Sequence, residues 1–410
     1  MTEIEKRAGQ NSKTGCMAVR PYIAGGEPVD YYAIDSLLTE EEKSFRSRVS
    51  KFVDEECLPI IADHFDRGTF PMHLIPRIAQ MGLFGLHVDG YGCKKASDTV
   101  YGLVCQEFGR CDSGLRALFS VQNSLVMYPI YTFGSEEQKK KWLPLMARGE
   151  AIGCFGLSEA DFGSDPSRMA TSAERHGDKW VINGSKMWIS NGPIAHVAIV
   201  WARTEEGIRG FLVEAGTPGF KTTPIQRKFS YRTSPTGLLA FKDCTVPEEN
   251  LLPRALGLKS IFQCLNYARF GVACSALGSA IACFQAARAF AQTRKVFEKP
   301  IASYQLVQDR LVQMITEITK AQLLTYHLGR LLDQDQARHV QICLAKLNNV
   351  REAMKIARLA RDILGGRGIL ADHYVIRHLC DLEAVSTLEG TENMHTLIIG
   401  QDLTGISAFV

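Results

Sequence analysis

The residue types best suited to chemistry gather near the C-terminus, in the segment EAVSTLEGTENMH, where Glu389 stands between Leu388 and Gly390. A carboxylate at the end of an apolar helix can serve as a general base if it is desolvated, because burial penalises the charged form and lifts the pKa toward neutrality. The same residue also reads as an ordinary capping or surface acid, and its spacing does not separate the two. The stretch LGGRGIL at 364–370 could hold an anion on its backbone amides or simply close a helix.

Other chemistries lack their signatures. There is no G-x-G-x-x-G after a strand, no phosphate loop ending in Gly-Lys-Ser/Thr, no H-E-x-x-H and no G-x-S-x-G elbow. The 12 cysteines, Cys57, Cys105, Cys154, Cys264, Cys343 and Cys380 among them, form no C-x-x-C pair and have no His at metal spacing. No metal site is expected. The thiols read as reduced, buried apolar residues, and a catalytic thiol would lack a neighbouring base.

The elements that must position these residues follow from pattern. A chain of 410 residues with 46% hydrophobic and 22% charged residues has globular composition and enough length for two or three packed units. A formal charge of +3 gives little steering toward nucleic acid or anionic lipid. The opening residues carry no apolar signal core, and no later apolar run reads as long enough for a bilayer, so the expected location is the cytoplasm with no membrane partner.

Residues 1–33 read as a polar leader. Residues 34–152 carry amphipathic patterns such as TEEEKSFRSRVSKFVDEECLPII, with Phe45, Val49, Phe52 and Val53 at helical spacing behind an acidic first turn. Residues 153–260 change texture: short β-branched and aromatic runs, bounded by Gly and Pro, flank an Asn183-Gly184 turn. Residues 261–410 return to long helical segments without internal proline, as in an antiparallel bundle. The expected class is α+β: helical domain, β-domain, helical bundle.

Several segments together resemble the acyl-CoA dehydrogenase family, most closely its glutaryl-CoA dehydrogenases. They are GCFGLSEADFGSDPS, INGSKMWISN, KFSYRTSPTG, VPEENLLP, LNYARFGVACSALG and LEGTENMHTLIIGQDLTGISAF, in the family's order across roughly residues 34–410. The resemblance implies an N-terminal helical domain, a middle β-domain and a C-terminal four-helix bundle, assembled as a homotetramer with bound FAD. It implies that Leu157 and Ser158 bond the flavin's pyrimidine end and that Trp188 and Ser190 cover the ring near N5. Arg294, Phe297 and Gln305 would hold a neighbouring subunit's FAD, and Gly365, Gly366 and Thr391 match further cofactor positions. Ser164 would contact the pantetheine, Arg269 the thioester tail, and Glu389 would remove the α-proton while the flavin takes the β-hydride.

The pattern also departs from the glutaryl-CoA dehydrogenases. Their acid, Arg and Ser in an ERxDSGxRS-like segment become Gly109, Arg116 and Ala117, and the Tyr before the base becomes Leu388. Arg116 remains as a cation for an acidic acyl tail or for helix-end carbonyls. Val296 and Glu298 replace the usual Gln and Gly near the expected pyrophosphate.

The resulting expectation is α,β-dehydrogenation of an acyl thioester without decarboxylation, the acyl group riding on coenzyme A or an acyl carrier protein. Electrons would leave to an electron-transfer flavoprotein or to oxygen. Non-oxidative use of the α-carbanion, such as ring closure, ordinary decarboxylating glutaryl-CoA dehydrogenation, and a non-catalytic scaffold are the alternatives.

Overall fold

A computed structural model describes residues 29–409, so most of the leader expected at 1–33 lies outside the described residues. Chain order is helices, then sheet, then helices, as the α+β reading expects. The first helix, α1 (Glu40–Phe52), begins with a capping box: the Glu42 N–H donates to the Thr39 hydroxyl at 3.3 Å, and the Thr39 N–H to the Glu42 carboxylate at 2.8 Å. It runs through a π-helical stretch, Val53–Cys57, into α2 (Leu58–Arg67), which stops at Gly68 in the left-handed region. Helices α3 (Leu74–Gln80), α4 (Asp98–Cys111), α5 (Ser113–Ser120), α6 (Tyr128–Phe133) and α7 (Glu136–Ala147) complete the first helical layer.

The middle of the chain forms one sheet of seven strands: β1 (Gly153–Gly156), β2 (Ser172–His176), β3 (Lys179–Ser190), β4 (Val197–Thr204), β5 (Gly207–Glu214), β6 (Phe220–Pro224) and β7 (Thr236–Pro247). β1 lies parallel to β4, whereas β3 pairs with β7 and β4 with β5 antiparallel. The β3–β7 register shifts between Lys186 and Ile189, and Trp188 in that interval takes φ +66°. A bulky residue adopts that state only where the surroundings impose it.

The C-terminal part packs α8 (Gly257–Thr293), α9 (Gln305–Asp333), α10 (His339–Leu364) and α11 (Val375–Thr387), with α12 (Glu392–Thr404) following. A two-stranded hairpin, β8 (Lys295–Val296) and β9 (Lys299–Pro300), joins α8 to α9.

Against the expectation that no apolar run could span a bilayer, α8 is long and apolar enough to do so. Its most apolar window, however, is 89% buried inside the fold. Its hydrophobicity is spent on packing: α8 runs between α4 and α10, and α4 approaches closely because glycines meet at the crossing. A Cβ on Gly109 would stand 2.4 Å from the Ser275 carbonyl oxygen, and one on Gly278 would stand 2.0 Å from that of Gln106.

Among the described residues no cluster of His, Cys, Asp or Glu could hold a metal ion. The eleven described cysteines are free thiols, nine of them buried.

Candidate functional site

Helix α11 ends at Thr387 and α12 is capped by Thr391, whose hydroxyl accepts from the Met394 N–H at 3.2 Å. Glu389 therefore sits in a three-residue corner, Leu388–Gly390, between two helices. Its φ is +54°, a left-handed state that costs a non-glycine residue about 1–2 kcal/mol. Gly390 follows at φ +101°, where a Cβ would also press to 3.0 Å from the His395 ring.

Two buried cations hold the corner. Arg269 of α8 donates from Nε to the Glu389 carbonyl at 2.9 Å, and Lys346 of α10 donates from Nζ to the Gly390 carbonyl at 2.7 Å. Both carbonyls lie in the corner outside either helix's own hydrogen-bond ladder, and the cations give them partners.

Glu389 as a residue is half-buried, but its Oε2 is shut from solvent and accepts no hydrogen bond. Burial raises its pKa above the usual carboxylate range, and the cations Arg116, Arg269 and Lys346 oppose that rise. A carboxylate left with an unpartnered oxygen in a dry wall is a poor structural element and a competent base. Burial likewise pushes Lys346 down to about 8, against the pull of Glu389.

Glu389 faces a cavity of about 1830 Å³. Arg116, Leu157, Ser158, Ser164, Trp188, Ser190, Arg269 and Thr391 line it as well, so nine residues singled out from the sequence share one space. Leu157 and Ser158 follow β1, and Trp188 and Ser190 close β3; the Met187 N–H donates to the Ser158 carbonyl at 2.8 Å and ties the two segments together. A buried ion pair pins them further. Lys186 donates from Nζ to Glu159 at 2.8 Å and to the Leu157 carbonyl at 3.1 Å, while Glu159 also accepts from the Ala170 and Thr171 N–H groups. The Trp188 indole is left 57% exposed over the opening, a flat apolar surface with no protein partner covering it.

Arg116 comes from α5, whose start is capped by Asp112 accepting from Gly114 and Leu115 at 2.8 and 3.0 Å. Its guanidinium is 1% exposed and donates to the Tyr231 hydroxyl, while its Nε finds no partner. Leu388 and Ala117 line the cavity beside it; Gly109 does not, being turned into the crossing with α8.

Arg294, Phe297, Gln305, Gly365 and Gly366 do not line this cavity. They lie exposed around the β8–β9 hairpin, the start of α9 and the end of α10; Phe297 is 87% exposed. Two residues of the site went unread in the sequence: Tyr231 of KFSYRTSPTG, which lines the cavity, and Lys346, which does not line it but holds the Gly390 carbonyl.

The cavity's size exceeds the ~300–1,000 Å³ of a site for one small ligand, and its lining divides into a β-domain wall with the exposed indole and a helical wall with the base. Both fit a large planar cofactor lying beside a second molecule.

Models for the N-terminal, middle and C-terminal domains of acyl-CoA dehydrogenases match residues 39–150, 154–244 and 256–404. The short-chain specific acyl-CoA dehydrogenase of Mus musculus mitochondria is 33% identical over 373 residues, 89% of this chain and 90% of that one. The mitochondrial isobutyryl-CoA dehydrogenase of Dictyostelium discoideum is 33% identical over 90% of each chain. Among solved structures, a glutaryl-CoA dehydrogenase from Mycobacterium smegmatis in complex with FADH2 superposes with a TM-score of 0.91 and 48% identity, covering 92% of this chain and 97% of that one.

Proposed function

This chain belongs to the acyl-CoA dehydrogenase family, and from that premise we propose that it binds FAD and α,β-dehydrogenates an acyl thioester, with Glu389 as the base. The observation that carries this reading is the Glu389 carboxylate, unpartnered at Oε2 and shut from water on the wall of the shared cavity.

The α-proton of a thioester is only weakly acidic, so the enzyme must stabilise the developing enolate as the carboxylate takes the proton. Among the described residues the Glu389 N–H meets no main-chain acceptor, leaving it to donate to the thioester carbonyl oxygen. Arg269 and Lys346 hold that peptide from behind and keep the base in its strained corner. Leu157, Ser158, Trp188, Ser190 and Thr391 would hold the cofactor in the same cavity, and Ser164 at the mouth would meet the pantetheine arm. FAD, when bound there, supplies the acceptor for the β-hydride. Arg294, Phe297, Gln305, Gly365 and Gly366, exposed on the isolated chain, would complete the cofactor site of a second copy, as in a homotetramer. An electron-transfer flavoprotein would then take the electrons.

Mixing the holoenzyme anaerobically with a panel of acyl thioesters tests this reading. The flavin absorbance should bleach with at least one of them. α-Proton exchange without bleaching would instead favour the non-oxidative use of the carbanion.

The cations behind the base have a readable consequence. The rate should rise with pH as Glu389 loses its proton, and Lys346 holds that pKa down. Lys346→Met should therefore move the acidic limb of the kcat profile to higher pH, whereas Lys346→Arg should leave it in place. Because Lys346 itself loses its charge near about 8, wild type and the Met variant should converge above that pH.

We also propose that the carboxylate of a glutaryl thioester survives turnover. An acid beside Arg116 could loosen its grip on the carboxylate and manage the proton for the far carbon, but Gly109 can do neither. Nor can an acid be set there as the helices stand, since its Cβ would meet the Ser275 backbone at 2.4 Å. Leu388 brings no hydroxyl beside the base. Glutaryl thioester labelled with carbon-13 at the distal carboxyl should give labelled glutaconyl thioester and no labelled carbon dioxide; stoichiometric release would return the chain to ordinary glutaryl-CoA dehydrogenation.

A further inference from the structure

We propose that Tyr231 is a specificity-determining residue which, together with Arg116, forms a donor-only clamp for an oxygen atom at the distal end of the acyl chain. The inference rests on the thioester reading above, in which Arg116 is already the cation for an acidic acyl tail, and adds to it the hydroxyl of Tyr231 as a second donor.

The clamp follows from what each group can give and take. Guanidinium only donates, so the hydrogen bond between Arg116 and the Tyr231 hydroxyl runs from the arginine to the phenol oxygen. The phenol's lone pair is thereby engaged, while its own proton meets no acceptor among the described residues. Arg116 is in the same position: its Nε is buried without a partner, and its one hydrogen bond goes to a neutral oxygen. Glu389 acts on Arg116 only at longer range, and a buried cation with no carboxylate at ion-pair distance and no carbonyl bonded to it is costly, as is a buried hydroxyl with no acceptor. Both deficits face the same cavity and are met by the same thing, an oxygen acceptor delivered by the substrate.

The placement of both residues is built rather than incidental. Tyr231 holds φ +54°, its N–H donates to Asp381 at 2.7 Å, and its carbonyl accepts from Lys228 Nζ at 2.7 Å. Arg116 is fixed by the cap on α5, where Thr233, two residues beyond Tyr231, also donates to Asp112. The cavity that the clamp and Glu389 share is lined also by Ala117, Val121, Leu125 and Leu388, an apolar set that suits methylene groups. The hydroxyl missing at Leu388, next to the base, reappears at Tyr231, next to the cation.

The test uses the holoenzyme and coenzyme A thioesters of three five-carbon acyl groups: pentanoyl, 5-hydroxypentanoyl and glutaryl. Flavin bleaching by any of them reports the dehydrogenation itself; the ratio of kcat/KM between oxygen-bearing and pentanoyl substrates reports the clamp. That ratio should favour the hydroxyl about 10-fold and the carboxylate up to about 100-fold, as expected for neutral and charge-assisted hydrogen bonds, and the two arms separate partial from full negative charge. In Tyr231→Phe the ratio should shrink about 10-fold for both, mainly through KM. A wild-type enzyme that bleaches with pentanoyl thioester as readily as with the other two would overturn the proposal without touching the dehydrogenation. So would an unchanged ratio in Tyr231→Phe. The wild-type panel tests the clamp as a whole, and Tyr231→Leu, which also lacks the hydroxyl, should show the same loss if Tyr231→Phe folds poorly.

Discussion

Glu389→Gln is expected to lower kcat on the order of 10²–10⁴-fold, the usual contribution of a positioned general base, while the protein still folds and binds its flavin. The amide has nearly the carboxylate's shape but cannot take up a proton at neutral pH. The backbone of residue 389 keeps its bond from Arg269, because that bond goes to the carbonyl and not to the side chain. Stability should change little, since the neutral amide escapes the cost of a buried carboxylate with Oε2 unpartnered while Arg116, Arg269 and Lys346 lose the charge that balanced theirs. Hydrogen–deuterium exchange at the α-carbon of a non-oxidisable thioester isolates proton removal from everything downstream. Near-normal exchange would move the base elsewhere, with Glu383 and Glu392 the neighbouring acids to examine.

The second large effect belongs to a residue whose carboxylate is committed to a buried ion pair. Glu159→Ala should destabilise the protein by about 3–5 kcal/mol, because it leaves Lys186 as a buried cation without its partner. Lys186 is 0% exposed and Glu159 6%. Burial alone would raise the Glu159 carboxyl, but Lys186 and the Thr171 donors outweigh it and hold the group below its ordinary value. Burial pushes Lys186 down to about 8 even with Glu159 present, so the pair is ionised at neutral pH.

The pH dependence has a definite sign. Unfolded lysine keeps its proton to about 10.4, and the folded variant sheds it earlier still than the wild type. Between those two values the unfolded state binds more protons, so stability rises with pH. Thermal or urea denaturation should show the deficit of Glu159→Ala narrowing as pH rises toward about 8, where the wild-type Lys186 sheds its proton too, and narrowing again in acid as Glu159 takes up its own. A deficit independent of pH would point to the lost N–H acceptors of Ala170 and Thr171 instead. Because the pair ties the Leu157 carbonyl to β3, the variant should also bind flavin more weakly.

The residues that could be read from the sequence are those whose meaning is local. Glu389 stood out as a candidate because an acid before glycine at the end of an apolar helix is a property of consecutive residues, but its spacing left base and cap open, and only the resemblance of the surrounding motif chose between them. The capping box at Thr39 and Glu42, the β-branched runs and the long proline-free helices depend likewise on neighbours within a few positions, so helix, sheet and bundle followed from pattern.

What the sequence could not carry is which distant groups share a wall. Arg116 and Tyr231 are 115 residues apart, and Lys346 and Gly390 are 44 apart. Nothing in either segment distinguishes a lysine that will be buried against a helix end from one that will stay solvated. The same holds for α8, whose composition would suit a membrane as well as a core until α4 and α10 are seen covering it. Gly109 is the sharpest case: as a letter it marks a missing acid, and only the helix crossing shows that no side chain fits there. Burial and hydrogen-bond partnership are set by packing over the whole chain, and they decide whether a carboxylate is a base, a cation a clamp, or a glycine a contact.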